Sequence, residues 1–407
     1  MRILCIPYSH TFSHLARPLA VGMELLRRGH EVAFAGSSGK LKHAENAGFA
    51  VHPLFEVNPQ VLYGNIRAGK LRFVSDADLE HMVESDVELI RRVSPDLILT
   101  DGRFSAQISA QLLGVRHAAI VNVSSTAYRA QPYIPMFDRF PKAIAPDAST
   151  LQGWLDVLNL HLEMTVFDSV MSSFSRWTRK HALPHKVTAT NCLAGVDLTL
   201  MADIPDYFPT RNLPPDHHYV GPITWSLKAP EPVGWLSASH GTPCLYVTMG
   251  TTGIPEFFPL LVELLHREGV SAVISTGGQV DGLVSPDPSI WIGDFVDGEF
   301  VLPKCGAVVC HGGNGTIYQA LQYGKPLVGM PSIPDQAFNM RRVEALGVGR
   351  TLGWKEFQQR PYRIIEEVRA VLDSPGYGAA AAAMRAKLAR YNAPVMSADL
   401  IEGLLTQ

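Results

Sequence analysis

Ala307-Val-Val-Cys-His-Gly-Gly-Asn-Gly-Thr316 is the most informative segment of this 407-residue chain. The apolar run 307–310 predicts a strand, and the pattern that follows it, Ile317 to Tyr323, predicts a helix. Three glycines, a flanking histidine and a hydroxyl residue therefore lie at a strand-to-helix turn, and together they exceed what a tight turn needs. Glycine lets the backbone approach a ligand, and the free amides and positive end of a helix attract an anion such as a diphosphate. We therefore predict an anion-binding loop in an α/β fold.

Apolar runs on both sides of this segment predict the sheet to which it belongs. They alternate with helical stretches, and strands that are hydrophobic on both faces indicate a parallel sheet covered on two sides. The strands predicted for this half of the chain are 244–250, 272–276, 290–294, 307–310 and 326–330.

The N-terminal half shows the same alternation and predicts a second α/β domain. Its predicted strands are 2–7, 31–36, 96–101 and 117–122, with helices over 15–28 and 105–113 and a longer helical stretch over 151–181. Residues 123–150 are irregular and rich in aromatic side chains. They form either a lid over an acceptor or an ordinary surface excursion.

A proline-rich stretch from Ile204 to Pro232 interrupts the pattern and predicts the linker between the two domains. We therefore expect an N-terminal domain over 1–215 and a C-terminal domain over 216–378. The Ala-rich remainder, 379–407, has no strand and is expected to form helices that bridge the domains.

Composition limits the classes of partner. The formal net charge of −3 provides no basic surplus to neutralise a phosphate backbone, which argues against nucleic acid. No run of about 18 apolar residues and no signal-peptide pattern occurs, so we expect a cytoplasmic protein without membrane insertion. The five cysteines are scattered without the spacing of a metal site or a disulfide framework, and we interpret them as reduced, packed thiols.

A second polar loop follows the predicted strand 326–330. Asp335-Gln336 opens another helical pattern, and it should meet the glycine loop at the carboxyl edge of one sheet, where open α/β folds bind ligands. A carboxylate beside an amide offers acceptors and donors suited to adjacent sugar hydroxyls. Taken alone, the pair is better explained as a helix cap with a solvated neighbour.

From Phe295 to Gly349 the chain resembles the donor signature of the family 1 inverting glycosyltransferases. It is most similar to bacterial members that glycosylate natural products, and the likeness is strong over 244–350 and weaker in the N-terminal half. The motifs that carry it are His311-Gly-Gly-Asn-Gly-Thr316, Gln319-Ala-Leu-x-x-Gly324-x-Pro326, Pro331-x-x-x-Asp335-Gln336 with Asn339, and Arg342-Val-x-x-Leu-Gly347.

The resemblance implies the GT-B architecture, an α/β fold with two facing Rossmann-like domains and C-terminal helices that cross back to the N-terminal domain. It also implies metal-independent transfer from a dTDP- or UDP-sugar, with no other cofactor, to a hydroxyl of a small acceptor such as a secondary-metabolite aglycone. A homodimer is left open. The donor-binding residues that the motifs imply are His311, Gly312, Gly313, Asn314, Gly315 and Thr316 for the diphosphate, Gly250 and Thr251 for a further phosphate contact, Asp335 and Gln336 for the sugar, and Phe295 and Val296 for the base.

One position departs from the family pattern. Where the family often has Val-Pro-Gln, this chain has Val296-Asp297-Gly298. Recognition of the base or ribose is therefore expected to differ, and thymidine and uridine donors remain alternatives.

The N-terminal half supplies candidates for the catalytic base. His14 follows the first predicted strand at the start of the first helix and looks like the family's Gly-His loop with Ser13 in place of glycine. A histidine with a pKa near neutrality suits the deprotonation of an acceptor hydroxyl, and a carboxylate on its other nitrogen fixes the tautomer. Asp101, at the end of the strand 96–101, is the predicted partner, and His10 in the same loop is the alternative base.

Other classes fit less well. The first strand is not followed by the glycine-rich loop of dinucleotide oxidoreductases. Asp76-Ala-Asp78 is interpreted as charge at the start of a helix and not as a metal ligand, and no metal site is predicted. A nucleotide-sugar epimerase or hydrolase of the same fold and a non-catalytic donor-binding protein remain as alternatives.

Overall fold

Two all-parallel sheets organise the chain, one in each of two units. The computed structural model describes residues 1–133, 151–224, 232, 244–250 and 253–406, apart from the side chain of Gln152. The first unit comprises Met1–Trp225 and Tyr391–Gln407, and the second comprises Ser226–Arg390.

The sheet of the first unit has seven strands in the order β3-β2-β1-β4-β5-β6-β7. Almost every residue of its central strands is buried, because helices cover both faces of a parallel sheet. The strands are β1 (Arg2–Pro7), β2 (Glu31–Gly36), β3 (Ala50–Pro53), β4 (Leu97–Asp101), β5 (Arg116–Val121), β6 (Leu198–Met201) and β7 (His217–Tyr219).

Seven described helices surround this sheet before the chain enters the second unit. Short 3₁₀ turns lie at Gly39–Leu41 and Val123–Ser125. The helices are α1 (Phe12–Arg27), α2 (Lys42–Asn46), α3 (Pro59–Arg67), α4 (Asp76–Val93), α5 (Ala106–Leu113), α6 (Leu151–Val170) and α7 (Ser173–Lys180).

The sheet of the second unit has six strands in the order β10-β9-β8-β11-β12-β13. This is the strand order of the doubly wound dinucleotide-binding fold, 3-2-1-4-5-6 counted within the unit. The strands are β8 (Cys244–Thr248), β9 (Ala272–Ser275), β10 (Ile290–Gly293), β11 (Cys305–Cys310), β12 (Leu327–Gly329) and β13 (Gly349–Thr351).

Helices of the second half begin with α8, and a 3₁₀ turn lies at Leu302–Lys304. The described helices are α8 (Phe257–Arg267), α9 (Gly298–Val301), α10 (Asn314–Gln322), α11 (Pro334–Ala345), α12 (Trp354–Gln359), α13 (Arg363–Asp373), α14 (Pro375–Leu388) and α15 (Ala393–Leu405).

The last helix, α15, belongs to the first unit and packs on α1. Ala398 and Ile401 are fully buried in the same core as Leu19 of α1. At the edge of this contact, Arg28 donates hydrogen bonds of 2.7 Å to both Asp399 and Glu402. The chain therefore returns to its first unit after completing the second.

The order of strands reverses at one point in each sheet, and this point determines where ligands bind. In open α/β sheets the crevice lies at the carboxyl ends of the two strands that flank the reversal. Those strands are β1 and β4 in the first sheet and β8 and β11 in the second. The loops that follow them are the ones for which the sequence predicts functional residues.

The α/β class with two parallel sheets is confirmed. Asp76 and Asp78 lie in the first turn of α4, where Ser75 caps the helix, so their interpretation as helix-start charge is confirmed. All five cysteines are free and buried, as expected for packed thiols.

The proline-rich stretch is partly structured. Tyr207 is fully buried and Phe208 is nearly so, and β7 pairs with β6. The division between the units falls at Trp225 and Ser226, further along the same stretch. Among the described residues, no helix combines the length and apolarity needed to cross a membrane.

Candidate functional site

His14 and Asp101 meet at the switch point of the first sheet. Pro7 at the end of β1 pairs with Asp101 at the end of β4, so the loop after β1 passes directly over this carboxylate. His14 lies in the first turn of α1, and its Nδ1 is 2.6 Å from Asp101 Oδ1. The aspartate side chain is 1% exposed and the histidine side chain 32% exposed. The structure therefore brings together the two residues that the sequence proposed as a pair.

The hydrogen bonds of Asp101 indicate the tautomer of His14. Arg17 Nη2 is 2.6 Å from the same Oδ1 and 3.2 Å from His14 Nδ1. A guanidinium has no acceptor and an ionised carboxylate has no proton to give, so both N–H groups donate to Oδ1. Nδ1 of His14 then carries the hydrogen, and Nε2 keeps the lone pair that a general base needs.

Arg17 is a participant that the sequence interpretation missed. Its Nε donates to Asp101 Oδ2 at 2.7 Å, which makes the contact with the carboxylate bidentate. Its Nη1 donates a 2.7 Å hydrogen bond to Oδ1 of Asn122, the residue that directly follows β5. An arginine one turn into an amphipathic helix gives no sign of this role until the topology places two strand ends beside it.

The loop between β1 and α1 is held by a second buried carboxylate, Glu56. Its oxygens accept hydrogen bonds from the backbone amides of Ser9 and Ser37 and from the hydroxyls of both serines. His10 turns toward this cluster, with Nε2 3.0 Å from Ser37 Oγ and 3.9 Å from Glu56 Oε2. The alternative base is therefore directed to a different carboxylate from the one that pairs with His14.

Gly102 determines how closely the backbone approaches the imidazole. Its φ of +75° is a left-handed conformation that favours glycine, and a β-carbon there would lie 3.2 Å from His14 Nδ1. The same atom would lie 3.2 Å from Tyr8 Cβ. The backbone of the turn after β4 therefore packs against the ring of His14.

In the second unit, the imidazole of His311 is enclosed by two glycines. A β-carbon on Gly250, after β8, would lie 2.7 Å from His311 Cε1, and one on Gly313 would lie 2.5 Å from His311 Nε2. Neither position can carry a side chain while the ring stays in place. These glycines therefore create a slot for the histidine at the second switch point.

His311 is buried in a way that leaves part of its hydrogen-bonding capacity unused. Burial lowers the pKa of His311 to about 4, so the ring is neutral near pH 7. Its Nδ1 is buried and makes no hydrogen bond, and the same is true of Oδ1 of Asn314 in the next turn. Buried polar atoms without partners are rare, and these two lie at the loop for which the sequence predicts an anion site.

The start of α10 presents its amides beside this histidine. Gly313 is the N-cap, Asn314 opens the helix, and Gly315 is exposed with open space where a β-carbon would be. Thr316 is partly exposed in the same turn. Gly312, with φ +87°, lies close to the carbonyl of Gln336 and to Met340. Free amides at the positive end of a helix are suited to an anion.

Asn339 connects this loop to the start of α11. The side chain is fully buried, and its Nδ2 is 3.0 Å from the carbonyl oxygen of Gly312 and 3.3 Å from Asp335 Oδ2. Gln336 is also buried, and its Oε1 accepts hydrogen bonds from the amide and hydroxyl of Ser332. Asp335 is partly exposed, whereas the side-chain oxygen of Gln336 is engaged by these hydrogen bonds from Ser332. The motif contained Asn339, but no role was predicted for it.

The segment predicted to bind the base lies after β10. Phe295 is 45% exposed and its ring approaches Gly278 after β9, whereas Val296 is buried. At the departure from the family pattern, Asp297 caps α9 through a 2.9 Å hydrogen bond from the amide of Glu299. A β-carbon on Gly298 would lie 2.4 Å from Nε2 of Gln319. The Gln319 side chain, which comes from α10, therefore fills the space beside residue 298.

Thr251, the remaining predicted donor contact, lies outside the described residues. Across the described ranges, no group of three or more His, Cys, Asp or Glu side chains is arranged to hold a metal ion.

Residues 270–403 match the family model of the erythromycin biosynthesis protein CIII-like C-terminal domain. The chain is 30% identical over 386 residues to a PGL/p-HBAD biosynthesis rhamnosyltransferase of Mycobacterium bovis (strain BCG / Pasteur 1173P2), covering 94% of this chain and 83% of the relative.

Two solved structures share the fold over essentially the full length. The calicheamicin glycosyltransferase CalG4 superposes with a TM-score of 0.71 at 19% identity, covering 100% of this chain and 99% of that one. The spinosyn rhamnosyltransferase SpnG, complexed with spinosyn aglycone, gives a TM-score of 0.70 at 19% identity, covering 99% and 100%. With two Rossmann-like sheets and a rhamnosyltransferase relative along most of its length, the chain belongs to the GT-B glycosyltransferases.

Proposed function

We propose that this protein transfers a hexose or deoxyhexose, with inversion and without a metal ion, from a dTDP- or UDP-sugar to a hydroxyl of a small acceptor. His14 Nε2 takes the proton of the acceptor hydroxyl, and the freed oxygen forms a bond to the anomeric carbon. The bond from that carbon to the nucleoside diphosphate breaks, and the diphosphate leaves with the electron pair. A single displacement of this kind inverts the anomeric centre.

The observation that carries the proposal is the contact of His14 with Asp101. The 2.6 Å hydrogen bond fixes the tautomer in which Nε2 is basic, and the carboxylate stabilises the imidazolium that forms when the proton is taken. His14 is also partly exposed, so an acceptor can reach the ring. A histidine that served only as a packed loop residue would need neither the carboxylate nor the exposure.

The donor end of the proposal rests on the loop after β11. Neutral His311 and the amides at the start of α10 would receive the diphosphate, and Asp335 and Gln336 would contact sugar hydroxyls. Gln336 Oε1 accepts hydrogen bonds from the amide and hydroxyl of Ser332, which hold this side chain at the start of α11. Helix amides supply the electrostatic stabilisation that a divalent ion supplies in other transferases.

The relatives favour a 6-deoxyhexose as the sugar. The M. bovis relative and SpnG are both rhamnosyltransferases by name, and they resemble this chain by sequence and by fold respectively. We therefore place rhamnosyl donors first among the sugars to test. The five buried free cysteines support the predicted cytoplasmic location, because thiols remain unpaired in reducing compartments.

The test is an incubation of the purified protein with dTDP-rhamnose, UDP-rhamnose and the corresponding glucose donors, each with and without a panel of phenolic and aliphatic hydroxyl acceptors. Mass spectrometry would follow glycosylated product, free sugar and free nucleotide diphosphate. Transfer that needs an acceptor is the expected result. His14→Ala should bind donor as the wild type does, and it should lose about 10²–10⁴ in turnover, the range of a general base.

Each competing function predicts a different product. A nucleotide-sugar epimerase or hydrolase would change or release the sugar without any acceptor. A non-catalytic donor-binding protein would bind the nucleotide sugar and leave it intact under all conditions. A His14→Ala variant with wild-type turnover on an aliphatic alcohol would remove His14 from the mechanism and direct attention to His10.

A further inference from the structure

We propose that Arg17 is a positioning residue of this active site, which fixes the Asp101 carboxylate against His14 and shares its negative charge. The inference rests on the proposed role of His14 as the base. It adds a third member to the pair.

The contact between Arg17 and Asp101 has the geometry of a strong ion pair. Two N–H groups donate to the two carboxylate oxygens at 2.7 and 2.6 Å, the bidentate arrangement in which arginine fixes a carboxylate in plane as well as in distance. The side chains are 9% and 1% exposed, so solvent screens the pair little. Asp101 therefore cannot rotate toward another partner while the guanidinium is in place.

Arg17 is itself held from its other side. Its Nη1 donates to Asn122 Oδ1 at 2.7 Å, and Asn122 Nδ2 lies 3.4 Å from Asp203 Oδ2. Asp203 is fully buried and accepts a 2.6 Å hydrogen bond from the amide of Val123. The segments that follow β5 and β6 thus continue the polar chain that begins at His14.

The chemical consequence follows from the shared oxygen. Oδ1 of Asp101 accepts hydrogen bonds from both His14 Nδ1 and Arg17 Nη2, each at 2.6 Å. Loss of the guanidinium would free the carboxylate to rotate, and His14 would then lose the hydrogen bond that fixes its tautomer and the orientation of its ring.

The groups that the structure places around the imidazole support this reading. Asp101 approaches from β4 and Arg17 from α1, while Gly102 contributes only backbone. Tyr8, at the end of β1, packs against the same glycine and donates its hydroxyl to the carbonyl of Val57. Burial raises the pKa of Tyr8, so this phenol is uncharged throughout the useful pH range.

The experiment compares Arg17→Ala and Arg17→Lys with Arg27→Ala. Arg27 lies on the same helix, is 71% exposed and pairs with Glu24, so its loss removes a surface ion pair without touching Asp101. Turnover with and without added guanidinium ion, the KM values of donor and acceptor, and the melting temperature would be measured for each variant.

Arg17→Ala should fold, keep the donor KM and lose about 10- to 100-fold in kcat. Added guanidinium ion should restore part of the turnover by occupying the vacated site. Arg17→Lys keeps the charge but cannot hold both oxygens in the same geometry, so it should lose about 3- to 10-fold in kcat. Arg27→Ala should match the wild type.

A lowered kcat in Arg17→Ala that guanidinium ion does not rescue would overturn the proposal and leave Arg17 a structural residue. If Arg17→Ala does not fold, wild-type turnover in Arg17→Lys would overturn it instead. His14→Ala, assayed in parallel, separates this failure from failure of the proposed function. A fully active His14→Ala rejects the base itself, whereas an inactive one leaves only the role of Arg17 in question.

Discussion

Substitution of Gly313 by alanine tests the donor loop at its tightest point. The backbone at Gly313 is extended, with φ −73°, so alanine costs no conformational strain there. The new β-carbon would lie 2.5 Å from Nε2 and 2.8 Å from Cε1 of His311, where non-bonded atoms need about 3.5 Å. The imidazole must therefore move by about 1 Å, beyond the narrow range of hydrogen-bond distances, about 2.7–3.2 Å.

The magnitude follows from the hydrogen bond that is lost. A hydrogen bond to a charged group contributes about 1.5–3 kcal/mol, which corresponds to roughly a 10- to 100-fold weaker Kd. Gly313→Ala should weaken free nucleoside diphosphate and nucleotide sugar alike, because the diphosphate is common to both. Isothermal titration calorimetry with dTDP and UDP would measure the effect directly.

Two further glycines serve as matched controls for an added methyl group. A β-carbon on Gly315 or on Gly378 would meet no protein atom within 4 Å. Gly315→Ala should weaken nucleotide binding only by direct contact between the new methyl group and a nucleotide bound at the start of α10. Gly378→Ala, in α14, should bind as the wild type does, and alanine in place of a helical glycine should stabilise it by about 0.5–1 kcal/mol. Wild-type binding by Gly313→Ala would refute the placement of the diphosphate beside His311.

Three other outcomes follow from the described residues. Asp335→Ala should leave the Kd of free nucleoside diphosphate nearly unchanged while sugar transfer falls, and equal weakening of diphosphate and nucleotide sugar in calorimetry would reject its assignment to the sugar. Turnover should survive EDTA, and a loss of more than about tenfold that magnesium or manganese reverses would show a metal requirement. Burial lowers the pKa of His117 from its ordinary value of 6.5 to about 3, so His117 is protonated at a higher pH in the unfolded chain than in the folded one. As the pH falls from 6.5 to 5, the free energy of unfolding measured with urea should therefore decrease by about 2 kcal/mol because of this residue. His117→Gln should remove that part of the pH dependence.

The sequence predicts the central strands well, because a buried strand of a parallel sheet is an unbroken apolar run. β2 was predicted at its observed bounds, and β1 likewise. The strands it missed lie toward the edges of the sheets. β7, with the sequence His-His-Tyr, and β13, with Gly-Arg-Thr, are three residues long and carry no apolar run, so only their pairing with a neighbour defines them.

The candidate site shows a similar division. The pairing of His14 with Asp101 could be expected, because strand ends of one parallel sheet meet at one edge. Arg17 could not, because an arginine within an amphipathic helix looks like any surface arginine until the fold places Asp101 and Asn122 beside it. Glu56 was missed for a related reason, since it follows β3, an edge strand that the pattern did not reveal.

The return of α15 to the first unit has a consequence for how the chain is made. The core beneath α1 lacks Ala398 and Ile401 until the whole second unit has left the ribosome. During synthesis part of the apolar surface of the first unit therefore stays uncovered, and the final stability of this unit depends on residues that are translated after the second unit. Stop codons or frameshifts upstream of α15 should accordingly damage the domain that carries His14, although α15 is encoded far downstream of it.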